Sequence, residues 1–192
     1  MEKELFGNDV AAAVKCMQQG GVILYPTDTV WGIGCDATNS EAVRRIFEIK
    51  RRADAKAMIS LVGSVAQLER HVRDIPEPAY EIAELATSPV TIVYDHPFGL
   101  APELLAADGS AGLRLTSEAY SRALCLGLRR PVVSTSANIS GEPTAALFRE
   151  ISDEIIKSVD YVASYRRNDS ERSASSSVIK ISSDCSVKIL RP

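Results

Sequence analysis

A short apolar run passes directly into a polar, glycine-containing turn in Val22-Ile-Leu-Tyr-Pro-Thr-Asp-Thr-Val-Trp-Gly-Ile-Gly34. Residues 22–25 predict a buried strand that ends at Pro26. Hydroxyl and carboxylate side chains follow it, and open α/β sheets bind ligands at the carboxyl ends of their strands. Gly32 and Gly34 would let a backbone approach a ligand closely, although this pair alone is a weak signal. The GxxxxGK[ST] spacing of a P-loop is absent from the sequence.

Outward from this stretch, predicted strands and helices alternate through most of the chain, which favours the α/β class over separate blocks of each type. We therefore predict a single α/β domain over residues 1–192. Asn8 or Asp9 is a candidate cap for the first helix. Predicted strands cover 22–25, 58–62, 90–94, 112–115, 131–134, 161–164, 178–181 and 187–190, and predicted helices cover 1–20, a stretch after the Asn39 cap, 64–71, 77–87, 117–128 and 148–158.

The composition is typical of an ordered globular chain, with 192 residues of which 45% are hydrophobic and 24% charged. No run of 18 apolar residues occurs, and the N-terminus is acidic and polar, unlike a signal peptide. We expect a soluble, cytoplasmic protein that does not associate with a membrane. Its net charge of −3, from 22 basic and 25 acidic residues, argues against a generic nucleic-acid coat but permits a local basic patch.

The cysteines and histidines argue against two common kinds of active site. The four cysteines are spread over the chain without a CxxC pair, and there are two histidines. A zinc site is therefore not predicted, and no side-chain metal ligands are expected. His71 lies in a charged stretch and His96 in an Asp-His-Pro turn, so neither is a good candidate for the base of a Ser-His-Asp hydrolase. The cysteines are expected to be buried thiols in a reducing compartment.

Positive charge is concentrated in segment 44–56, where six basic and two acidic residues give a net charge of +4. Two interpretations are open. A basic helix end can simply be solvated and interact with the helix dipole. Alternatively, lysine as a point charge and arginine as a bidentate fork can hold a polyphosphate, and Lys50 and Arg52 lie two residues apart near the expected helix end.

Two further features place polar side chains in apolar surroundings. The segment 131–141, Pro-Val-Val-Ser-Thr-Ser-Ala-Asn-Ile-Ser-Gly, presents four hydroxyls and one amide directly after an apolar strand. These groups suit either local caps and an Asx turn or hydrogen bonds to a small polar ligand. Arg114 lies between Leu113 and Leu115 in a predicted strand, so it either points to solvent or pairs with a carboxylate, which could belong to a substrate.

Taken in this order, the motifs resemble the YrdC/Sua5 family, the L-threonylcarbamoyladenylate synthases. The resemblance runs from about residue 8 to residue 191, and the pairing of PTDTVWG with STSANISG is specific. It rests on PTDTVWGIG at 26–34, Lys50-Arg51-Arg52, Lys56-Ala57-Met58, Leu113-Arg114-Leu115 and Ser134-Thr-Ser-Ala-Asn138. The chain is similar to the short form of the family, and the implied fold is a twisted, open mixed sheet whose flanking helices enclose a large basic cavity.

The resemblance implies a nucleotidyltransferase that makes threonylcarbamoyl-AMP and pyrophosphate from L-threonine, bicarbonate and ATP. The product would serve threonylcarbamoyl modification of adenosine 37 in tRNA, with downstream threonylcarbamoyl transferase proteins and tRNA as candidate partners. Such a reaction needs aligned reactants and neutralised anionic charge more than a strong base. Mg²⁺ is implied because pyrophosphate leaves, held mostly by phosphate oxygens and water.

The resemblance also implies site residues. Thr29, Arg114 and Ser134 would hold threonine, with Arg114 on its carboxylate, and Lys50 and Arg52 would be the catalytic cations. The residues implied to bind ATP are Lys50, Arg52, Lys56, Ser110, Ser136, Asn138, Thr144, Ser177 and Arg191.

Some positions depart from the family pattern, so alternatives remain. Trp31 stands where Tyr is usual, and Lys56-Ala57 lacks the common Pro. The segment after Arg114, Leu-Thr-Ser-Glu-Ala-Tyr120, lacks a common Pro and His, which favours a divergent YciO-like member. A third interpretation is an RNA-binding or ribosome-associated module of the same fold, supported by the basic segment and by Arg129-Arg130 and Arg166-Arg167.

Overall fold

A mixed β-sheet runs through the whole protein. The computed structural model describes residues 2–52, 58–171, 173 and 175–192. Two short 3₁₀ helices, Pro102–Leu104 and Phe148–Glu150, supplement the regular elements. The helices are α1 Glu2–Gln18, α2 Ser40–Ile49, α3 Val65–Leu68, α4 Glu77–Leu85, α5 Ala119–Leu128 and α6 Asp153–Ser158, and the strands are β1 Ile23–Tyr25, β2 Gly32–Gly34, β3 Ile59–Val62, β4 Val90–Tyr94, β5 Ala111–Leu115, β6 Val132–Ser136, β7 Tyr161–Val162, β8 Ser177–Ile181 and β9 Val187–Arg191.

Within the described part of the chain, nine strands form this sheet in the order β7-β1-β2-β6-β3-β5-β4-β8-β9. The pairs β1/β7, β3/β5 and β4/β8 are parallel, and the other five neighbouring pairs are antiparallel. The predicted α/β class with an open mixed sheet is therefore confirmed. Most predicted strands are present within one or two residues of their expected limits.

Strand β2 lies where the sequence indicated only a loop, between β1 and β6. All three of its residues pair with β1, and Gly32 and Ile33 also pair with β6, so that Gly32 lies opposite both Tyr25 and Ser136. A Cβ on Gly34 would lie 2.2 Å from the carbonyl oxygen of Val133. The close approach of the three strands therefore requires glycine at this position, which is why GIG here belongs to the sheet.

The described residues bury two apolar clusters against the sheet. The larger one joins α1 and α5 to the strands at one end, and includes Met17, Ile33 and Leu124. The smaller one, around Leu68 and Leu113, lies under α3 and α4. Burying each large aliphatic side chain contributes about 1.5–3 kcal/mol, so these clusters hold the helices on the sheet.

Helix α1 begins before the cap that the sequence suggested. It starts at Glu2, so Asp9 lies inside the helix, only 6% exposed. Its carboxylate accepts hydrogen bonds from the backbone N–H groups of Ser164 and Tyr165 and from the Tyr161 hydroxyl. The prediction of a cap at Asp9 is thus wrong, because distant backbone donors use the carboxylate instead and fasten segment 161–165 to α1.

The four cysteines lie in the described ranges, and none of them is in a disulfide. Cys35 and Cys125 are completely buried, as expected, and burial raises the pKa of the Cys125 thiol to about 12. Cys16 is half-buried, and Cys185 is exposed. No helix in the part of the chain that the structure covers combines the length and apolar character needed to cross a membrane.

Replacing Gly34 tests the packing of β2. Gly34→Ala is expected to lower the free energy of unfolding by about 3 kcal/mol, because backbone at Val133 and the ring of Tyr25, 2.7 Å from the added Cβ, must both move. Gly7→Ala is the control, since that Cβ meets nothing within 4 Å and is expected to stabilise helix α1 by about 0.5–1 kcal/mol. Urea unfolding of the two variants measures both values, and equal stabilities would contradict the close approach.

Candidate active site

The loop between β1 and β2 is held by its own threonines. The Thr27 hydroxyl donates to the carbonyl of Val30 at 2.8 Å and accepts the backbone N–H of Thr29 at 3.0 Å. Since its one proton is used, the Thr29 hydroxyl, 2.9 Å away, donates to Thr27. This fixes the loop in a conformation in which Asp28 reaches strand β5.

Asp28 forms an ion pair with Arg114 in the centre of the sheet. The Arg114 Nη2 lies 2.8 Å from the Asp28 Oδ1, and the two side chains are 3% and 13% exposed, respectively. Burial lowers the pKa of Arg114 and raises that of Asp28, which the charge of Arg114 partly counteracts. Among the described residues, no group hydrogen-bonds to the buried Arg114 Nε, and the Asp28 Oδ1 lacks a well-aligned hydrogen bond. Of the two possibilities for Arg114, solvent or a carboxylate, the structure shows a carboxylate of the chain itself, and a guanidinium donor is left unused within the described residues.

The sheet register places Ser134 on the same face as Arg114. Strand β3 lies between them, with Leu61 opposite Arg114 and Ile59 opposite Ser134. Because Ile59 and Leu61 are two residues apart in one strand, their partners point to the same face. A Cβ on Gly32 would lie 3.4 Å from the Ser134 Oγ, so Ser134 is also close to the end of the loop between β1 and β2. Ser134 and Arg114 thus share a face, and the loop that carries Thr29 reaches Arg114 through Asp28 and Ser134 through Gly32. That these three residues hold threonine stays a prediction.

Lys50 is buried below the turn that follows β6. Its Nζ donates to the carbonyls of Ser136 at 2.5 Å and Asn138 at 2.7 Å, and its own carbonyl accepts from the Ser140 N–H at 2.9 Å. Burial, with a smaller contribution from the charge of Arg52, lowers the pKa of Lys50 to about 8. Lys50 therefore fixes the STSAN turn in this structure, and its contact with ATP phosphates stays a prediction.

Around this turn, the residues predicted to bind the nucleotide differ in how far they are buried. The Asn138 amide nitrogen donates to the carbonyls of Ile139 and Glu142, whereas its buried Oδ1 has no partner in the described ranges. Ser136 is half-buried and Thr144 is exposed. An acceptor oxygen on Asn138 is therefore available beside a half-buried hydroxyl, while Thr144 lies on the outer side of the loop.

An apolar cavity of about 240 Å³ lies between β5 and β9 on the Arg114 face of the sheet, since it is lined by Gly112, two residues before Arg114. Ser110 and Arg191, both predicted to bind ATP, are at its edge. Buried Ser110 donates to the Asp108 carboxylate at 2.6 Å. Apolar walls with a few polar groups at the edge suit a flat heterocycle.

The sequence missed Ser176 at this cavity. Arg191 donates to the Ser176 carbonyl at 2.8 Å, and the buried Ser176 hydroxyl is 2.9 Å from that of Thr91, a cavity residue. Ser177, the predicted residue, is one position along β8 and lies on the face opposite to the cavity-lining Val178. A run of three serines at 175–177 offered no signal to choose among them.

The described part of the basic segment, residues 44–52, does not direct all of its basic side chains to one point. Three of its guanidinium groups form ion pairs with acids outside the segment, namely Arg44 with Glu103, Arg45 with Asp160 and Arg51 with Glu154. Arg52 is half-buried, and Lys56 lies outside the described residues. Ion pairs thus occupy three of the six basic residues of the segment, and the large basic cavity stays a prediction.

Over the residues covered by the structure, no three His, Cys, Asp or Glu side chains come together in a group that could hold a metal ion. The side chains alone thus do not form a metal site for the Mg²⁺ implied by the resemblance, and Mg²⁺ stays a prediction.

Comparison with known proteins assigns this α/β fold to a family. The chain belongs to the Sua5_yciO_yrdC family, whose model carries the description "Telomere recombination" and matches residues 15–192. The predicted family is therefore confirmed.

Its similar relatives include two named threonylcarbamoyl-AMP synthase. The protein from Pseudoalteromonas translucida is 35% identical over 155 residues, which are 79% of this chain and 83% of the relative. The protein from Xanthomonas euvesicatoria is 39% identical over 158 residues, with 80% and 84% covered.

Solved structures agree on the fold. The structure of P. abyssi Sua5 complexed with L-threonine superimposes with a TM-score of 0.82 at 25% identity. The match covers 95% of this chain but 53% of that longer chain, so this protein spans about half of it. E. coli YciO has a TM-score of 0.80 over 95% of this chain at 24% identity, which shows the fold alone.

The pH dependence of stability tests the environment of Lys50. Between its pKa of about 8 in the folded protein and the ordinary value of 10.5, the unfolded chain holds a proton on this side chain that the folded chain has lost. The contribution of Lys50 to stability therefore rises with pH across this window. The free energy of unfolding of the wild type, relative to Lys50→Met, is expected to increase from pH 8 to pH 10.5 in urea titrations.

Lys157→Met, at a 78% exposed side chain in α6, controls for the loss of a lysine. A stability difference between wild type and Lys50→Met that stays constant over this range would contradict a buried ammonium at this position.

Proposed function

We propose that this chain is a threonylcarbamoyl-AMP synthase, which converts L-threonine, bicarbonate and ATP into threonylcarbamoyl-AMP and pyrophosphate. The names of the similar relatives and the threonine complex of P. abyssi Sua5 support this activity. The observation that carries the proposal is structural. Buried Arg114, with an unused donor, and an apolar cavity edged by Ser110 and Arg191 lie on the same face of one sheet.

The threonine end of the site is formed by three elements. Arg114 in β5 supplies the cation for the carboxylate, and its Nε can form the second bond of a bidentate pair. Thr29 in the loop and Ser134 in β6 offer hydroxyls for the polar side chain of threonine. A site that satisfies a substrate hydroxyl in this way discriminates strongly against analogues that lack it.

The nucleotide end extends from this point toward β9. The adenine ring would occupy the apolar cavity beside Ser110 and Arg191, and Ser136, Asn138, Thr144 and Ser177 are proposed for the rest of the nucleotide. Lys50, Arg52 and Lys56 are proposed to neutralise the phosphates, with Lys50 and Arg52 as the catalytic cations. The short distance along the chain from Lys50 to Arg52, and the position of Lys50 under the turn at Asn138, support this arrangement.

The proposed reaction has two bond-forming steps. The threonine amine attacks bicarbonate to give the N-carboxylate and water, and a carboxylate oxygen then attacks the α-phosphorus of ATP as pyrophosphate leaves. Alignment of three reactants and neutralised phosphate charge account for the catalysis, in keeping with a nucleotidyltransferase that lacks a catalytic histidine. When bound, Mg²⁺ would add charge neutralisation at the leaving pyrophosphate.

The wider role follows from the product. A reactive mixed anhydride must be consumed by an acceptor, and we propose that downstream threonylcarbamoyl transferase proteins use it to modify adenosine 37 of tRNA in the cytoplasm. The described residues share one sheet, which supports a single domain over residues 1–192.

Omission of each substrate tests the activity. Pyrophosphate release is expected with L-threonine, bicarbonate and ATP together and is expected to fall to background when any one of them is left out. Release that continues without threonine would contradict the proposal. Tight, strongly salt-dependent tRNA binding without any ATP turnover would favour the RNA-binding interpretation instead.

Variants of two neighbouring arginines distinguish a specific role of Arg52 at the phosphates from a general loss of positive charge. Arg52→Ala is expected to lower kcat for pyrophosphate release by about 100-fold, because one preorganised cation at the phosphates is lost. Arg51→Ala is the matched control, since Arg51 is 65% exposed and pairs with Glu154, and its kcat is expected to stay within about twofold of wild type. Equal losses in the two variants would contradict a specific role for Arg52.

A further inference from the structure

Asp28 lies at the boundary between a buried cation and an open cavity. Its carboxylate pairs with Arg114, whose side chain is 3% exposed, and also borders a cavity of about 370 Å³. Asp28 lines this cavity together with Leu115 at the end of β5, Ser117 just after β5 and Val90 in β4. Leu115 and Val90 point to the face of the sheet opposite Arg114, so the Asp28 carboxylate lies between Arg114 on one side and the cavity on the other.

The pair has the charges that recognise an amino acid. An α-amino acid carries a carboxylate and an ammonium on one carbon, whereas the protein presents a guanidinium and a carboxylate 2.8 Å apart. A ligand carboxylate on Arg114 would compete with Asp28 for the same guanidinium, and the unused Nε can give it a second hydrogen bond. Once displaced by a short distance, Asp28 would face the ammonium group of the same ligand.

The surroundings of Asp28 suit proton transfer. Burial already raises its pKa, while Arg114 lowers it, and the more distant Glu118 and Arg166 act in opposite directions. A ligand carboxylate that neutralises Arg114 removes the largest influence that keeps Asp28 ionised. The affinity of Asp28 for a proton therefore increases when a carboxylate binds beside it.

We propose that Asp28 is a catalytic residue that exchanges Arg114 for the α-ammonium of threonine, binds this ammonium and accepts its proton. The inference rests on the proposed function and names the group that prepares the amine. Threonine carboxylate takes the place of Asp28 on Arg114, and the displaced Asp28 oxygen receives an N–H of the ammonium.

The chemistry balances. The ammonium gives one proton to the Asp28 carboxylate, which becomes a carboxylic acid, and the nitrogen recovers its electron pair. That pair forms the N–C bond to bicarbonate, the C–OH bond of the bicarbonate breaks, and the hydroxide takes the second proton from the amine nitrogen and leaves as water. No oxidant or reductant is needed, and Asp28 returns its proton to solvent after the product departs.

Binding of matched ligands tests the exchange. The probes are L-threonine and 2,3-dihydroxybutanoate, which keeps the carboxylate and replaces the ammonium by a hydroxyl. By isothermal titration calorimetry, the wild type is expected to prefer threonine by about 10- to 100-fold, the effect of a charge-assisted hydrogen bond. Asp28→Asn is expected to lose this preference and to bind dihydroxybutanoate at least as tightly as the wild type does, because no carboxylate competes for Arg114.

Kinetics separate a catalytic from a structural role. Asp28→Asn is expected to lower kcat for pyrophosphate release by about 100-fold or more and to flatten the acidic side of the pH–rate profile. Asp28→Glu, which keeps the carboxylate, is expected to retain the preference for threonine and part of the activity. Asp160→Asn is the control, since it removes another aspartate–arginine pair, with Arg45, away from the site.

Two results would overturn the inference. One is an Asp28→Asn variant that weakens both ligands by the same factor, as loss of support for Arg114 would do. The other is an unchanged kcat and pH profile in a folded variant that lacks the carboxylate, which is Asp28→Asn or, if this variant does not fold, Asp28→Ser. Failure of the proposed function is distinguishable, because it appears as absent threonine-dependent pyrophosphate release in the wild type.

Discussion

Strand β6 joins the two halves of the sheet, because it pairs with β2 on one side and with β3 on the other. In sequence, β2 and β3 come early and β6 follows only after β5 and α5. The contacts of β6 with β2 and β3 therefore close long loops and depend on the complete fold. The pairing of β6 with β2 and β3 places Ser134 next to the loop between β1 and β2, and places the turn after Ser136 over Lys50. The glycines of β2 permit this approach. The proposed site thus forms only when strands from the first part of the sequence pair with strand β6 from the later part.

Buried charges are the second unusual feature of this region. Arg114 and Lys50 are 3% and 2% exposed in an interior that is otherwise largely apolar. Placing a charge there costs free energy unless partners repay it, and an apolar side chain of similar volume would often be more stable. Within residues 2–52 and the other described ranges, the partners are one carboxylate for Arg114 and two carbonyls for Lys50. Such cations are preorganised to meet an anionic ligand, which agrees with the proposed binding of threonine and ATP.

The sequence predicted the class of fold and singled out Arg114 and the hydroxyls after β6 as unusual, since apolar runs and isolated polar side chains are local signals. Strand β2 was not predicted, because three residues of which two are glycines show no hydrophobic periodicity. Only their pairing with β1 and β6 makes them a strand. Asp9 was read as a cap because its partners at 161–165 are far away in sequence. The pattern around Arg114 left open whether it faces solvent or pairs with a carboxylate, and gave no sign that Asp28 is its partner. Ion pairs of the basic segment likewise depend on neighbours that folding brings close.

The central claim is that one face of the sheet holds threonine at Arg114 and the nucleotide between β5 and β9. A crystal structure of the protein with L-threonine and a non-hydrolysable ATP analogue tests it most directly. The account predicts the threonine carboxylate on the Arg114 guanidinium and the adenine ring in the apolar cavity beside Ser110 and Arg191. Threonine bound away from Arg114, with the Asp28–Arg114 pair intact, would contradict it.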